Sequence, residues 1–305
     1  MLVADIGATN TRLALANAAG KLDSARKFPN QGVRDLAALL EEALAAAGRR
    51  RPRFAVLGVA GPVDADRFLV TNRGWSFSRR ALMRRLGLKR LVVVNDFEAL
   101  AHALPFLEPR DLLAVGAPHQ LPKDRLLVCG PGSGFGSALL IAAGRRPRVL
   151  ASEAGHMRLG AATADEARVI AHFLRETGPV IVEQVLSGSG LARLHEILCG
   201  DRKRPEAIAS AARAGAAAAR VTAEFFLRLY GRIAGDLALA YNAKAVFLAG
   251  GVTGGLAPLI PASAFREVFE EHPPYKDRLA QIPIRIIVHE EPGLLGAAAI
   301  ARRLA

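Results

Sequence analysis

Cysteine is the scarcest of the chemically reactive residues in this chain of 305 residues, which contains only Cys129 and Cys199. Two cysteines in a chain of this length form no disulfide framework, and the sequence carries no Cys-rich zinc motif. The chain also lacks an apolar run long enough to span a membrane, and residues 1–5 do not resemble a secretory signal. We therefore expect a cytoplasmic protein.

Aromatic residues are also few, at 6%, whereas Lys and Arg exceed Asp and Glu by 41 to 28 and give a net charge of +13. A basic excess can indicate a nucleic-acid or membrane partner. Here it is dispersed over short groups such as Arg79-Arg80 and Arg84-Arg85, without interleaved aromatic residues and without a DNA-binding motif. We expect a solvated basic surface, with no nucleic-acid and no membrane partner.

The two halves of the chain begin with the same order of elements. Apolar alternation predicts a strand at 2–6, a turn at Gly7, a strand at 12–16 and a third strand that ends near Phe28. The second half repeats the scheme with strands at 126–129 and 137–142, a glycine turn between them and a third strand after Arg146. Mixed strands and helices then follow in each half, which predicts an α/β fold in two lobes with a ligand cleft between them.

The remaining expected elements follow from hydrophobic periodicity. Helices are predicted at 33–47, 79–86, 97–104 and 294–304 and from about residues 164, 182 and 207, and strands at 54–59, 90–94, 245–249 and 284–289.

The first glycine turn, Asp5-Ile6-Gly7-Ala8-Thr9-Asn10, has features of a phosphate site. Gly7 allows close approach of the backbone, and consecutive amides in such a turn bind anions. Asp5 is a candidate to hold Mg²⁺ through water, because hard cations prefer oxygen ligands. The alternative is an ordinary hairpin turn in which Asp5 accepts local amides.

Two further glycine segments lie in the second half. Gly130-Pro131-Gly132-Ser133-Gly134-Phe135-Gly136 joins two predicted strands, and it matches neither the P-loop nor the dinucleotide fingerprint. Its position repeats that of the first turn, which favours a second phosphate loop. Ala249-Gly250-Gly251 would allow close approach to a nucleotide ring or ribose, with a simple strand-to-helix turn as the alternative.

The candidate catalytic pair is Asn95-Asp96, at the end of a buried strand. A carboxylate at a strand end can accept the proton of an attacking hydroxyl, and phosphoryl transfer needs little more than such a base, positioning and charge neutralisation. The alternative, compatible with the first, is that Asn95 caps a helix together with Glu98.

Glu153, His156 and Glu183 are candidate sugar ligands, since carboxylates and imidazoles pair with hydroxyl groups. For His156 a structural role is the alternative. Gly155 within Glu153-Ala154-Gly155-His156 favours a loop over a metal-binding helix.

Taken together, these segments resemble the bacterial glucokinases, members of the hexokinase group in the actin-like ATPase superfamily and distinct from the ROK kinases. The matching segments run in order through nearly the whole chain. They are Asp5 to Arg12, Ala60-Gly61-Pro62-Val63, Thr71-Asn72-Arg73-Gly74-Trp75, Asn95 to Ala99, Gly130 to Gly136, Glu153 to His156, Glu183 to Gly190, Ala249-Gly250-Gly251 and Pro292 to Ala298.

The resemblance implies two ribonuclease H-like lobes, one from residues 1–106 and 291–305 and one from residues 107–290. It implies ATP-dependent phosphorylation of a hexose, glucose above all, at the 6-hydroxyl, with Mg²⁺ as cofactor. Asp96 would be the catalytic base. The implied binding residues are Asn72, Asn95, Asp96, Glu153, His156 and Glu183 for the sugar, Ala4, Asp5, Ile6, Gly7, Ala8, Thr9, Asn10, Gly130, Gly132, Ser133 and Gly134 for the phosphates, and Gly250 and Gly251 for adenosine.

The chain departs from the family pattern at four places. Ala8 stands where a second glycine is usual, and Ser133 replaces the usual Thr and keeps the hydroxyl. Thr253-Gly254-Gly255 replaces a stretch that often carries Pro-Arg, and His272-Pro273-Pro274 interrupts a region that is usually Lys-Gly-Arg-like. The last two departures are expected to alter nucleotide contacts or turnover.

Two alternatives remain open: a kinase of another hexose such as mannose or glucosamine, and a sugar-binding regulator without catalysis. The oligomeric state also stays open, with a homodimer among the alternatives.

Overall fold

A computed structural model describes residues 1–305 except 8, 24, 34, 47–51, 62, 65, 71–74, 118, 143–146 and 305. The chain forms two compact units. We call Met1–Leu107 with Glu290–Ala305 the small unit, and Glu108–His289 the large unit.

The strands of the small unit are β1 Leu2–Ile6, β2 Asn10–Leu15, β3 Arg26–Pro29, β4 Phe54–Val59, β5 Val63–Asp64, β6 Arg67–Val70, β7 Trp75–Ser78 and β8 Arg90–Asn95. Its helices are α1 Leu36–Ala46, α2 Arg79–Leu86, α3 Asp96–Ala103 and, from the end of the chain, α12 Pro292–Ala301.

The strands of the large unit are β9 Leu112–Val115, β10 Leu126–Pro131, β11 Phe135–Ile141, β12 Arg148–Ser152, β13 Ala245–Leu248 and β14 Ile284–Ile287. Its helices are α4 Ala164–Thr177, α5 Val182–Val185, α6 Gly188–Cys199, α7 Pro205–Arg213, α8 Ala217–Ala240, α9 Gly251–Leu256, α10 Phe265–Glu270 and α11 Lys276–Ala280.

The main sheets of the two units share one topology. The small unit has the order β3-β2-β1-β4-β8, and the large unit has β12-β11-β10-β13-β14 with β9 added at its edge. In each, the first three strands are antiparallel and the next two run parallel to the central strand. The repeat inferred from the glycine turns is therefore present in the pairing, and it confirms the α/β fold class.

The small unit buries both faces of its main sheet, which explains why β1, β4 and β8 are continuous apolar runs. Alternate side chains of a strand point to opposite faces. Leu2 and Leu57 thus join a core with Leu36 of α1, whereas Val3 and Val56 join a second core built on α12.

The large unit packs its sheet against α8, whose buried face includes Phe226, Tyr230 and Leu237. Among the described residues, no helix combines the length and the apolarity that crossing a membrane requires.

Candidate active site

The first glycine turn and Asp96, both predicted as site residues from the sequence, lie at the same edge of the small unit's main sheet. The parallel register places Ile6 of β1 beside Val59 of β4, and Val59 beside Asn95 of β8. The loop that follows β1 and the Asp96 that follows β8 therefore leave the sheet at the same end. The carboxyl ends of parallel strands are the usual ligand-binding edge of α/β sheets.

Asn95 is the N-cap of α3. Its Oδ1 accepts hydrogen bonds from the backbone N–H groups of Phe97, at 2.9 Å, and Glu98, at 3.3 Å. Burial raises the pKa of Glu98, and the backbone N–H of Asn95, donating back to that carboxylate, opposes the rise. The capping box expected from the sequence is thus formed, and it orients the first turn of the helix.

Asp96 is the first residue of α3 and is partly exposed. One of its oxygens, Oδ1, accepts a hydrogen bond from the N–H of Phe97 at 3.0 Å. The chain passes close by at Gly58 of β4, where a side chain would contact Cα of Asp96 and the methyl of Ala99. The sequence analysis did not single out Gly58, because its role depends on the neighbouring strand.

Asp5 lies next to an ion pair. The Nη1 of Arg12 is 3.6 Å from Oδ2 of Asp5, and the Nε of the same arginine is 2.7 Å from Oε2 of Glu291. Burial raises the pKa of Asp5 to about 6; the charge of Arg12 opposes this rise, and that of Glu291 adds to it. A half-buried carboxylate that has one cationic neighbour, Arg12, suits a hydrated Mg²⁺, which proteins hold with one or two carboxylates and the substrate phosphates.

The first glycine turn is held by Asn30, a fully buried side chain that the sequence analysis did not identify. Its Nδ2 donates to the carbonyl of Gly7 at 2.8 Å, and its Oδ1 accepts from the hydroxyl of Thr11 at 2.8 Å. The backbone N–H of Asn30 donates to the carbonyl of Thr9 at 2.9 Å. Asn30 therefore fixes the turn from its buried side, and Thr9 remains exposed to solvent.

Of the residues predicted to bind, Ala8 and Asn72 lie outside the described part of the chain. Ala4 and Ile6 are buried in β1, so that only their backbone groups are available to a ligand.

In the large unit, the second and third glycine segments lie side by side. Ala249 donates its N–H to the carbonyl of Cys129 at 3.1 Å. Gly130 and Gly250 have φ angles of +154° and +106°, and a side chain on either would collide with the facing backbone. These two positions therefore require glycine for backbone conformation and for space. Ser133 is exposed at the tip of the second loop.

Thr253 supports this junction from behind. Its buried hydroxyl donates to the carbonyl of Ala249 at 2.7 Å and lies 3.3 Å from the hydroxyl of Tyr230. Tyr230 in turn donates to the carbonyl of Cys129 at 3.0 Å. The Thr253 side chain thus packs inside the unit. From the sequence, the departure of this residue from the family pattern was expected to change nucleotide contacts. In the structure, Thr253 and Tyr230 instead bond the backbone carbonyls that precede Gly250 and Gly130.

The three candidate sugar ligands of the large unit lie at the second glycine loop. Glu153 precedes a single 3-10 turn, Ala154–His156, where the sequence predicted a loop, and both Glu153 and His156 are exposed. The Nε2 of His156 is 4.0 Å from Oε1 of Glu183. The other oxygen of Glu183 accepts a hydrogen bond from the N–H of Phe135 at 3.2 Å.

Metal-ligand clusters of three or more His, Cys, Asp or Glu are absent from the described residues. Cys129 is buried and Cys199 partly exposed, and both are free thiols.

Comparisons with known proteins identify the family of this chain. Residues 2–304 match the model of the family described as Glucokinase. The chain is 35% identical to the glucokinase of Yersinia enterocolitica over 99% of its length and 96% of that protein. It superimposes on a glucokinase from an Antarctic psychrotroph with a TM-score of 0.83, 31% identity and coverage of 99% and 98%.

The fold also matches a glucokinase from Balamuthia mandrillaris solved with glucose, with a TM-score of 0.86, 22% identity and coverage of 99% and 93%. Fold and matches together define a sugar kinase of the actin-like ATPase class. Within that class, the chain belongs to the glucokinase family. It is thus a hexose kinase that uses ATP as substrate, as the resemblance implied.

Proposed function

We propose that this chain transfers the γ-phosphoryl group of ATP to the 6-hydroxyl of D-glucose and so produces glucose 6-phosphate at the entry to glycolysis. The observation that carries the proposal is the position of Asp96. This residue follows β8 at the sheet edge where β1, which contains Asp5, leads into the first glycine turn. Membership of the glucokinase family supports the same reaction.

Asp96 is the proposed catalytic base. Its carboxylate takes the proton of the 6-hydroxyl while that oxygen forms its bond to the γ-phosphorus and the bond to the β-γ bridging oxygen breaks, which releases ADP. The capping box of Asn95 and Glu98 holds the first turn of α3, and so holds the backbone of the base. Orientation of this kind supplies much of the rate in phosphoryl transfer.

The sugar ligands are proposed to be Asn72 and Asn95 of the small unit and Glu153, His156 and Glu183 of the large unit. A hydroxyl group both donates and accepts hydrogen bonds, so a carboxylate or an amide can bind two adjacent sugar hydroxyls and an imidazole nitrogen can bind one. The Oδ1 of Asn95 already accepts two backbone hydrogen bonds, and its Nδ2 donates one N–H to the carbonyl of Gly61 at 3.4 Å, which leaves the second N–H for a sugar oxygen.

The phosphates of ATP are proposed to bind the backbone of residues 4–10 and of Gly130, Gly132, Ser133 and Gly134, and adenosine is proposed to lie near Gly250 and Gly251. Asp5 would hold Mg²⁺ through water. When bound, the ion neutralises charge on the phosphoryl oxygens. The exposed hydroxyl of Ser133 is suited to donate to a phosphate.

A coupled assay of ADP release with purified protein tests the proposal, with glucose, mannose and glucosamine as acceptors. We expect the highest kcat/KM with glucose. Turnover with mannose or glucosamine alone would identify another hexose kinase. Binding of glucose without ATP-dependent turnover would identify a sugar-binding regulator.

The protein is further proposed to act in the cytoplasm on small molecules, without a nucleic-acid or membrane partner. Two free cysteines support a reducing compartment. Retention on DNA at low salt would contradict this part of the proposal, and light scattering decides whether the chain is a homodimer.

A further inference from the structure

Glu183 contacts the second glycine loop directly. It lies in the first turn of α5, and its Oε2 accepts the backbone N–H of Phe135 at 3.2 Å, where the loop passes into β11. The side chain is 33% exposed, and its other oxygen, Oε1, lies 4.0 Å from the exposed imidazole of His156. One carboxylate therefore has two neighbours of different kinds: the backbone of the loop and a candidate sugar ligand.

The loop makes room for this carboxylate at Gly134. A side chain there would collide with Oε2 of Glu183. Gly155 makes a similar approach from the other direction, since a side chain on it would collide with the carbonyl of Phe135 and lie 3.4 Å from Cβ of Glu183. Both glycines thus allow the loop, the turn at 154–156 and Glu183 to pack within contact distance.

A second attachment fixes the other side of the loop. The N–H of Gly188, at the start of α6, donates to the carbonyl of Gly132 at 2.9 Å. Residues 183–188 therefore bind the loop twice, at Gly132 and at Phe135. The loop is additionally closed on itself by the N–H of Gly132, which donates to the carbonyl of Gly134 at 2.8 Å.

We infer that Glu183 is a positioning residue for the nucleotide phosphates as well as a sugar ligand. Its Oε2 holds the second glycine loop in the shape that binds phosphate, and its Oε1 remains directed to the sugar side, where His156 lies. A hydrogen bond from a backbone N–H to a carboxylate is stronger than one between two neutral groups. Its loss would therefore release the end of the loop at Phe135.

The inference rests on the proposed function, because it takes the second glycine loop as the phosphate site. It adds a consequence that sugar binding alone does not have: a change at Glu183 alters nucleotide affinity when no sugar is present. It also predicts that the binding of each substrate alters the affinity for the other, since both would bind next to the same carboxylate.

The experiment measures the Kd of MgADP by calorimetry in the absence of sugar. We expect Glu183→Ala to weaken MgADP binding by roughly tenfold, and Glu183→Gln to regain most of it, because the amide oxygen can accept the Phe135 N–H. Glu153→Ala is the matched control: it removes another candidate sugar ligand of the same unit, and we expect the sugar-free Kd of MgADP to stay within twofold of wild type. Thermal unfolding of each variant separates loop positioning from a loss of folded protein.

A second variant approaches the same contact from the loop. Gly134→Ala displaces the end of a flexible side chain, so the protein should fold while the carboxylate moves away from the Phe135 N–H. If it acts through Glu183, the double variant Gly134→Ala with Glu183→Ala binds MgADP no more weakly than the poorer single variant.

Wild-type affinity for MgADP in Glu183→Ala would overturn the inference, and so would additive losses in the double variant. A wild-type protein that fails to bind MgADP would overturn the proposed function itself. Turnover by wild type together with unchanged nucleotide affinity in Glu183→Ala would leave the proposed function standing and refute only the positioning role.

Discussion

Gly293 lies directly against the carboxylate of Asp5: a methyl group on this glycine would stand 2.8 Å from both Cγ and Oδ2. Gly293 is in the first turn of α12, so the start of that helix rests on the loop expected to hold phosphate and Mg²⁺. We predict that Gly293→Ala lowers kcat by tenfold or more, because a shift of about 1 Å in a positioned group costs that much. Initial rates at saturating ATP and glucose measure the effect.

The control for this variant is Gly160→Ala, which adds the same methyl group into open space in the large unit. Its kcat and melting temperature should match wild type. Equal activity of Gly293→Ala and Gly160→Ala would show that Asp5 tolerates the displacement.

Asp96→Asn tests the base directly. The amide keeps the size of the side chain and can still accept the Phe97 N–H, but it cannot take a proton. We predict a fall in kcat of about 10²- to 10⁴-fold with the Kd of glucose within a few-fold of wild type. Calorimetry gives the Kd and the coupled assay gives kcat. Near-normal kcat would refute the assignment of the base.

Gly155→Ala probes the packing of the turn at residues 154–156. The added methyl would collide with the backbone carbonyl of Phe135, which cannot move as a flexible side-chain end could. We predict a loss of stability of about 1–3 kcal/mol and weaker binding of glucose. Urea unfolding and calorimetry measure these, with Gly160→Ala again as the control. A wild-type urea midpoint for Gly155→Ala would contradict the close contact.

His102 should make the stability of the protein depend on pH. It is buried in α3, and burial, assisted by the charge of Arg303, lowers the pKa of its imidazole from 6.5 to about 4. The unfolded chain therefore binds a proton below pH 6.5 that the folded chain binds only near pH 4. The contribution of neutral His102 to the free energy of unfolding is therefore complete above pH 6.5. It is lost as the pH falls towards 4, and the loss is at most about 3 kcal/mol.

His102→Gln removes this titration and keeps a polar side chain of similar size. We predict that the free energy of unfolding in urea falls less steeply between pH 7 and pH 4 for the variant than for wild type. Parallel curves for the two proteins would show that His102 does not have the lowered pKa.

Much of the fold could be predicted because its strong signals are local. The continuous apolar runs of β1, β4, β8, β10 and β13 identified buried strands, and Asn95 with Glu98 identified the cap of α3. The resemblance to glucokinases is confirmed by the family match. The individual binding residues stay predictions.

Other features could not be predicted because they depend on neighbours distant in sequence. The small sheet of β5, β6 and β7 and the edge strand β9 were missed, since strands this short have weak periodicity. Asn30 and Gly58 gave no signal either: one acts through Gly7 and Thr11, and the other through its place between β1 and Asp96. Thr253 was expected to alter nucleotide contacts or turnover, whereas its hydroxyl is buried beside Tyr230.

The division of the chain has a consequence for synthesis on the ribosome. The large unit is continuous, whereas the small unit is made from Met1–Leu107 and Glu290–Ala305. Leu294 and Ala297 of α12 complete a core with Val3 and Val56, so this core lacks one side until the last segment emerges. At ribosomal speeds the delay is roughly 10–40 s, during which β1, β4 and β8 stay partly uncovered. The nascent small unit therefore exposes part of its apolar core while the large unit is synthesised, and such a surface is prone to aggregate unless a chaperone covers it.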